Sequence, residues 1–280
     1  MPNLVNVAGR LPTVARNAAR PVQRASRRTW ESRGTDRTNA IARGRCLVLA
    51  PHADDETLGC GVTIMRKRDA GTAVRVVIAT DGANSHPERV VDQQALIAAR
   101  RQEAVSACLR LGVEGPDLTF LGLPDGRLAD RIEGLAVAIA AQVSEFSPDQ
   151  VLLPVAGDGH VDHDALNVAT HMALATDTGP ELLEYPVWYW NHWPFTRTTG
   201  ASGLQRLFVH PVGRVLERSA VLVSTTGYVG RKRAALGEYG SQVGSEWGRP
   251  ALSADFVEQF LGSHEVFIST RSATKEKHAS

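Results

Sequence analysis

The chain has 280 residues, of which 43% are hydrophobic and 22% charged, with a formal net charge of +1. That length permits one large domain or two small ones around a sizeable core. The near-zero charge excludes a general nucleic-acid binder, which carries a strong basic excess. No stretch reaches the ~18 consecutive apolar residues of a membrane-spanning helix, so integral membrane association is excluded too. Cys46, Cys60 and Cys108 are the only cysteines. They form no CxxC pair and leave one unpaired, which predicts a reducing, cytoplasmic setting. The N-terminus also lacks the apolar core of a secretory signal.

Residues 1–43 carry nine arginines against Glu31 and Asp36, and read as a basic peripheral extension. Leu4, Val7, Leu11 and Val14 recur at helical spacing, with arginines on the other face. From residue 44 the pattern changes. The run Cys46–Ala50 predicts a strand covered on both faces. A helix over 57–69, a strand over 73–79 and a long helix over 92–111 follow, the last stopped at Gly112. Further on, a strand over 118–121, a helix over 131–146, a strand over 150–153 and a helix over 165–175 are expected. An aromatic strand over 184–190 and helices over 230–239 and 254–260 complete the domain, which is placed at 44–270. Residues 271–280 read as a disordered tail. Strands alternating with helices imply crossover connections and a mostly parallel sheet, hence a Rossmann-like, three-layer α/β domain.

Ligands in such sheets bind outside the carboxyl ends of the strands. Two clusters fall there. Pro51-His52-Ala53-Asp54-Asp55-Glu56 follows the first strand, and Gly159-His160-Val161-Asp162-His163-Asp164 follows the strand over 150–153, after a glycine-rich turn. Buried carboxylates and imidazoles at such density need partners or a cation. Imidazole and carboxylate suit Zn²⁺ or another divalent transition metal, and three protein ligands with an open fourth position is the catalytic arrangement. His52, Asp55 and His163 form such a set. By contrast, Gly59-Cys60-Gly61 lacks the third glycine of a dinucleotide loop, since Ile64 stands there, so these glycines predict a close helix–sheet approach and Cys60 a packing role.

On these residues the chain resembles the LmbE-like, or PIG-L, family of zinc-dependent N-acetylglucosamine de-N-acetylases. Further similarity runs through Thr80-Asp81-Gly82, Arg100-Arg101-Gln102-Glu103-Ala104, Leu121-Gly122-Leu123-Pro124-Asp125-Gly126 and Lys232-Arg233-Ala234-Ala235-Leu236. Ala53 and Val161 stand where the family has proline. The resemblance implies that His52, Asp55 and His163 bind the metal. It makes Asp54 the general base and His160 the acid or oxyanion partner, oriented by Asp162 and protonated with its help. Arg100 is similar to a substrate-contacting arginine. In the aromatic stretch 185–193, Trp190 and His192 are candidates to meet a sugar ring, beside the reading that the stretch fills the core.

The function so implied is metal-dependent removal of an N-acetyl or other N-acyl group from an amino sugar (GlcNAc-type) in a glycoconjugate, with loops over 177–215 choosing what the sugar is attached to. An amidase on a sugar-linked thiol conjugate and a deacylase tailoring a glycosylated natural product stand beside it. So does a non-enzymatic carbohydrate-binding module, against which Asp54 and His160 speak. The residues carry no signal of oligomeric state.

Overall fold

The computed structural model describes residues 13–86, 92–175, 179–191 and 220–271. Eight strands among them form one sheet in the order β1-β7-β8-β6-β5-β2-β3-β4. The strands are β1 (Thr35–Asp36), β2 (Cys46–Ala50), β3 (Val74–Thr80), β4 (Leu118–Leu123), β5 (Gln150–Pro154), β6 (Glu181–Tyr185), β7 (Ala220–Ser224) and β8 (His264–Arg271). All pairings are parallel except those of β8, which runs antiparallel to both β6 and β7.

The order explains where a ligand can sit. From β2 the chain moves through β3 to β4 on one side, and then returns to place β5 on the other side of β2. Between β2 and β5 the direction of winding reverses, and the loops after these two strands diverge to leave a crevice. Cys46 pairs with Gln150 and Val48 with Leu152, so the residues following each strand emerge at the same height.

Strand β2 is buried throughout, and its alternating side chains serve two cores. Cys46, Val48 and Ala50 join the cluster beneath α3 (Asp55–Asp69), α4 (Gln93–Leu111) and α7 (Val229–Leu236). Leu47 and Leu49 join the opposite one, beneath α5 (Ile132–Phe146) and α6 (Val161–Ala173). This is the three-layer arrangement expected. Helix α4 starts where the Asp92 carboxylate accepts from the Gln94 and Ala95 N–H groups, and it ends at Gly112 with φ of 86°, both standard capping solutions.

Three expectations need correction. Residues 30–43 are not peripheral: Trp30 and Ile41 lie in the core, and Thr35–Asp36 pairs with β7. The boundary between residues 43 and 44 therefore falls inside the folded unit. Helix α1 (Thr13–Ser32) leads into this segment, while residues 1–12, with Leu4, Val7 and Leu11, lie outside the described residues. The aromatic strand is shorter and earlier than expected, ending at Tyr185. Beyond Pro186 the N–H groups of Val187, Trp188 and Tyr189 all donate to the Asp158 carboxylate, which turns the chain out of the sheet. Finally, β7 and β8 were not anticipated. Strand β8 continues to Arg271, and the tail after it lies outside the described residues.

Candidate active site

The two clusters do meet. The loop after β2 is pinned from β3, where the Thr80 N–H and hydroxyl each donate to the Pro51 carbonyl at 2.9 Å. Arg100 of α4 donates to the Ala53 carbonyl at 2.6 Å. Asp54 then takes φ of 130°, a strained conformation for a residue with a side chain. It is held there by its N–H donating to Glu56 Oε2 at 3.1 Å and by the first bonds of α3 to its carbonyl. Helix α3 begins at Asp55 and α6 at Val161, both earlier than expected. Asp55, Asp162 and His163 thus lie in the first turns of the two helices, with His52, Asp54 and His160 just before them, and the positive ends of both helix dipoles face acidic side chains.

At the centre stands Asp55 Oδ2. It lies 3.2 Å from His52 Nδ1 and 3.2 Å from His163 Nε2, and accepts the His52 backbone N–H at 2.9 Å. Ligand atoms 2.0–2.1 Å from one tetrahedral ion are ~3.3 Å apart, a separation that each of the two approaches to Asp55 Oδ2 matches. The outward-facing ring nitrogens each meet a carboxylate. His52 Nε2 is 3.1 Å from Asp162 Oδ2 and 3.2 Å from Asp125 Oδ1, and His163 Nδ1 is 2.8 Å from Asp158 Oδ2. Carboxylates behind metal-binding imidazoles orient the rings and raise their basicity. His163 is fully buried, and neither of its ring nitrogens has an aligned hydrogen bond. Such a residue is left costly unless something else engages it.

Among the described residues, the sets whose ligand atoms all lie within 4.8 Å of one another are His52 with His160 and His163, and His52 with Asp125 and Asp162. The second is already occupied by hydrogen-bond donors. Asp162 accepts from Gly126 N–H at 2.7 Å and Leu128 N–H at 3.0 Å, and Asp125 accepts from Asn84 N–H at 2.9 Å.

The electrostatics call for positive charge at this point. Burial opposes charging His52 and His163. The carboxylates of Asp125, Asp162 and Asp55 nevertheless raise His52 well above its usual pKa, and those of Asp55 and Asp158 carry His163 to about 9. Burial also works against Asp55, but His163 and His52 hold its carboxyl well below the ordinary range. Burial and the Asp55 charge push Asp54 up to about 8, against the pull of Arg100 and His52. A cation beside Asp55 acts on Asp54 in the same downward sense.

His160 departs from its expected pairing. Its Nδ1 accepts from the Asp162 backbone N–H at 3.3 Å, whereas the Asp162 carboxylate faces His52. Burial, then the charges of His52 and His163, lower its pKa to about 4. The side-chain contact with Asp162 that was expected to favour the protonated ring is not made, since that carboxylate meets His52 Nε2 at 3.1 Å. The tautomer of His160 is set by a backbone donor, which leaves Nε2 to carry the proton.

The substrate candidates divide. Arg100 is buried and spends its guanidinium on Ala53, Gly82 and Asp54, so it braces the loop before α3 rather than opening onto a cleft. Trp190 packs into the core, 6.0 Å from Trp30 and beneath the Arg27 guanidinium at 4.1 Å. The aromatic beside the site is Trp188, half-buried, with its ring centroid 6.2 Å from that of His160 and 4.8 Å from Phe256, nearly parallel to both. His192 lies outside the described residues, as does most of the segment 177–215. Asp125 and Asp158 were not singled out from the sequence. Asp158 had a usable signal: it stands between Gly157 and Gly159, both at positive φ, in a turn that leads from a strand end straight into the second cluster.

Residues 47–174 match the family model described as PIG-L: GlcNAc-PI de-N-acetylase. The chain is 28% identical over 244 residues to 2'-N-acetylparomamine deacetylase of Streptomyces fradiae, covering 80% of this chain and 84% of that protein. It is 32% identical over 167 residues to 1D-myo-inositol 2-acetamido-2-deoxy-alpha-D-glucopyranoside deacetylase of Kineococcus radiotolerans, spanning 48% of this chain and about half, 46%, of that protein. Among solved structures, N,N'-diacetylchitobiose deacetylase from Pyrococcus horikoshii superposes with a TM-score of 0.58 at 18% identity, over 92% of this chain and 93% of that one, a likeness of fold. Both motifs converge at the β2/β5 crevice inside the matched residues 47–174, and over that segment the chain is similar to the PIG-L family.

Proposed function

We propose that the protein is a zinc-dependent hydrolase that removes the acetyl group from an N-acetyl amino sugar (GlcNAc-type) within a larger glycoconjugate. The observation that carries this reading is the single Asp55 oxygen equidistant from His52 Nδ1 and His163 Nε2, with the Asp54 carboxylate next in the chain. His52, Asp55 and His163 would hold the ion, which when bound supplies polarisation of an acyl oxygen and acidifies a water.

The chain's own side chains do the rest. Asp54 is the base: it is buried, and Arg100 reaches one of its oxygens at 3.4 Å. Arg100 engages only one of its two oxygens, so the carboxylate can take a proton from the attacking water and pass it to the departing amine. His160, neutral and protonated at Nε2, donates to the oxygen on which negative charge develops. Trp188 walls the site on the His160 side, where a sugar ring can rest against its edge.

The Streptomyces fradiae relative, of which this chain covers 84%, supports the amino sugar of a glycosylated natural product as the substrate class. Three cysteines, buried and unpaired, support a reducing, cytoplasmic setting, and among the described residues no helix is long and apolar enough to cross a membrane. The test is amine release from a panel of N-acetylglucosaminides and N-acetylated aminoglycosides, with metal content measured on the same sample. Stoichiometric zinc, and activity lost on chelation and restored by zinc, are expected. A chain that takes up no divalent metal, or whose amine release a chelator leaves unchanged, overturns the reading.

A further inference from the structure

Asp158 and His163 are both completely buried, and every group that the Asp158 carboxylate meets is a donor or can be one. Its Oδ1 accepts from the N–H groups of Val187 and Tyr189, both at 2.9 Å. Its Oδ2 accepts from the Trp188 N–H at 3.0 Å and lies 2.8 Å from His163 Nδ1. A neutral imidazole carries one proton, on one nitrogen or the other, and a nitrogen can ligate a metal only where it carries none. An ionised carboxylate has no hydrogen to give. Its 2.8 Å approach to Nδ1, although not aligned as a hydrogen bond, favours the tautomer with the proton on Nδ1 and leaves the Nε2 lone pair on the side where Asp55 stands.

We propose that Asp158 is a positioning residue with two roles: it holds His163 in the Nδ1–H tautomer, and with the same two oxygens it fixes the backbone of residues 187–189 so that Trp188 lies beside His160. The inference rests on the reading of His163 as a metal ligand. It explains why the chain leaves the sheet at Pro186, since the N–H groups that a longer strand would offer a neighbour are spent on Asp158. It also joins the metal side of the site to its aromatic wall through one side chain.

An asparagine cannot replace it. One of its two terminal atoms is an NH₂ group, and in either orientation that group faces N–H donors. Turned toward Trp188, it also donates to His163 Nδ1 and drives the proton to Nε2, which blocks ligation. Loss of such an outer carboxylate typically weakens metal binding about 10–100-fold.

Two measurements test this. In the zinc-loaded wild-type protein, ¹⁵N-resolved histidine NMR should show His163 protonated at Nδ1 and coordinated through Nε2. In Asp158→Asn, chelator competition should show zinc affinity reduced about 10–100-fold, in a variant whose metal-free melting curve confirms that it folds. A zinc-loaded wild-type protein with the His163 proton on Nε2 overturns the proposal, as does a folded Asp158→Asn that binds zinc within about threefold of wild type. The role of Asp158 would then be confined to the backbone of 187–189. If the variant does not fold, the wild-type tautomer decides alone. A wild-type protein that binds no zinc overturns the functional reading along with this one, so the two failures are distinguishable.

Discussion

Asp54 combines a strained backbone with a buried carboxyl, and both follow from its place at the mouth of α3. With φ of 130° it occupies a conformation that typically costs about 1–3 kcal/mol for a residue bearing a Cβ, and Glu56 and Arg100 hold it there. Replacing the carboxylate by an isosteric amide keeps that shape and removes the proton acceptor. On the proposed mechanism, Asp54→Asn is expected to retain its divalent metal while kcat falls by roughly 10²–10⁴-fold; metal analysis and kcat on one preparation check this, and near-parental turnover would rule Asp54 out as the base. The motif residues themselves were legible in the sequence, because charged groups directly after a buried strand are costly unless they are paired or hold a cation. Which carboxylate serves which imidazole was not legible. Asp162 was assigned to His160 and serves His52, since the side chain of Asp162 points into the sheet crevice while only its N–H reaches the neighbouring ring.

At the scale of elements, α3 is held as closely as the site it carries. A Cβ on Gly59 would stand 2.8 Å from Tyr185 Cγ, and the Tyr185 hydroxyl is tied to the Leu49 carbonyl at 2.8 Å, so the ring cannot yield. In an open helix, Gly→Ala stabilises by about 1 kcal/mol. Here overpacking wins, and Gly59→Ala should destabilise by roughly 1–3 kcal/mol, read as a lower midpoint in denaturant at unchanged m. One turn further, Glu265 of β8 accepts from the Val62 and Thr63 N–H groups, and Lys232 of α7 donates to Glu265 and to the Leu58 carbonyl, each at 2.7 Å. Leu58 and Val62 are the two ends of one i,i+4 rung of the helix, so this buried pair clamps α3 from two neighbouring elements. Lys232→Met leaves Glu265 charged and without its cation, and should cost about 3–5 kcal/mol, measured by chemical denaturation. The glycines announced a close approach from sequence alone. The ion pair did not announce itself, because Lys232 and Glu265 lie on elements with no common period.

For the whole molecule, the strand order decides where the site lies. Parallel crossovers put the carboxyl ends of all strands but β8 on one edge, and the reversal between β2 and β5 opens that edge into a crevice. The segment before β2 is part of the same unit. Trp30 and Ile41 are buried, Lys67 donates to the carbonyls of Ile41 and Gly44, and Arg37 pairs with Glu181. Truncation of residues 1–43 removes a buried tryptophan, whose loss alone costs about 3–5 kcal/mol, against a total stability on the order of 5–15 kcal/mol. The truncated chain is expected to be largely unfolded at 37 °C by circular dichroism.

The α/β architecture, the run of buried strands and the two acidic-imidazole clusters could be read directly from the chain, because strand burial and helix amphipathicity have fixed periods and catalytic side chains gather where strands end. The pairing of β2 with β5, the carboxylates behind His52 and His163, and the choice of Trp188 over Trp190 belong to the tertiary structure. They depend on where aperiodic turns deliver single side chains, and a turn such as Gly157-Asp158-Gly159 acquires its meaning only from the His163 ring and the three N–H groups that converge on it.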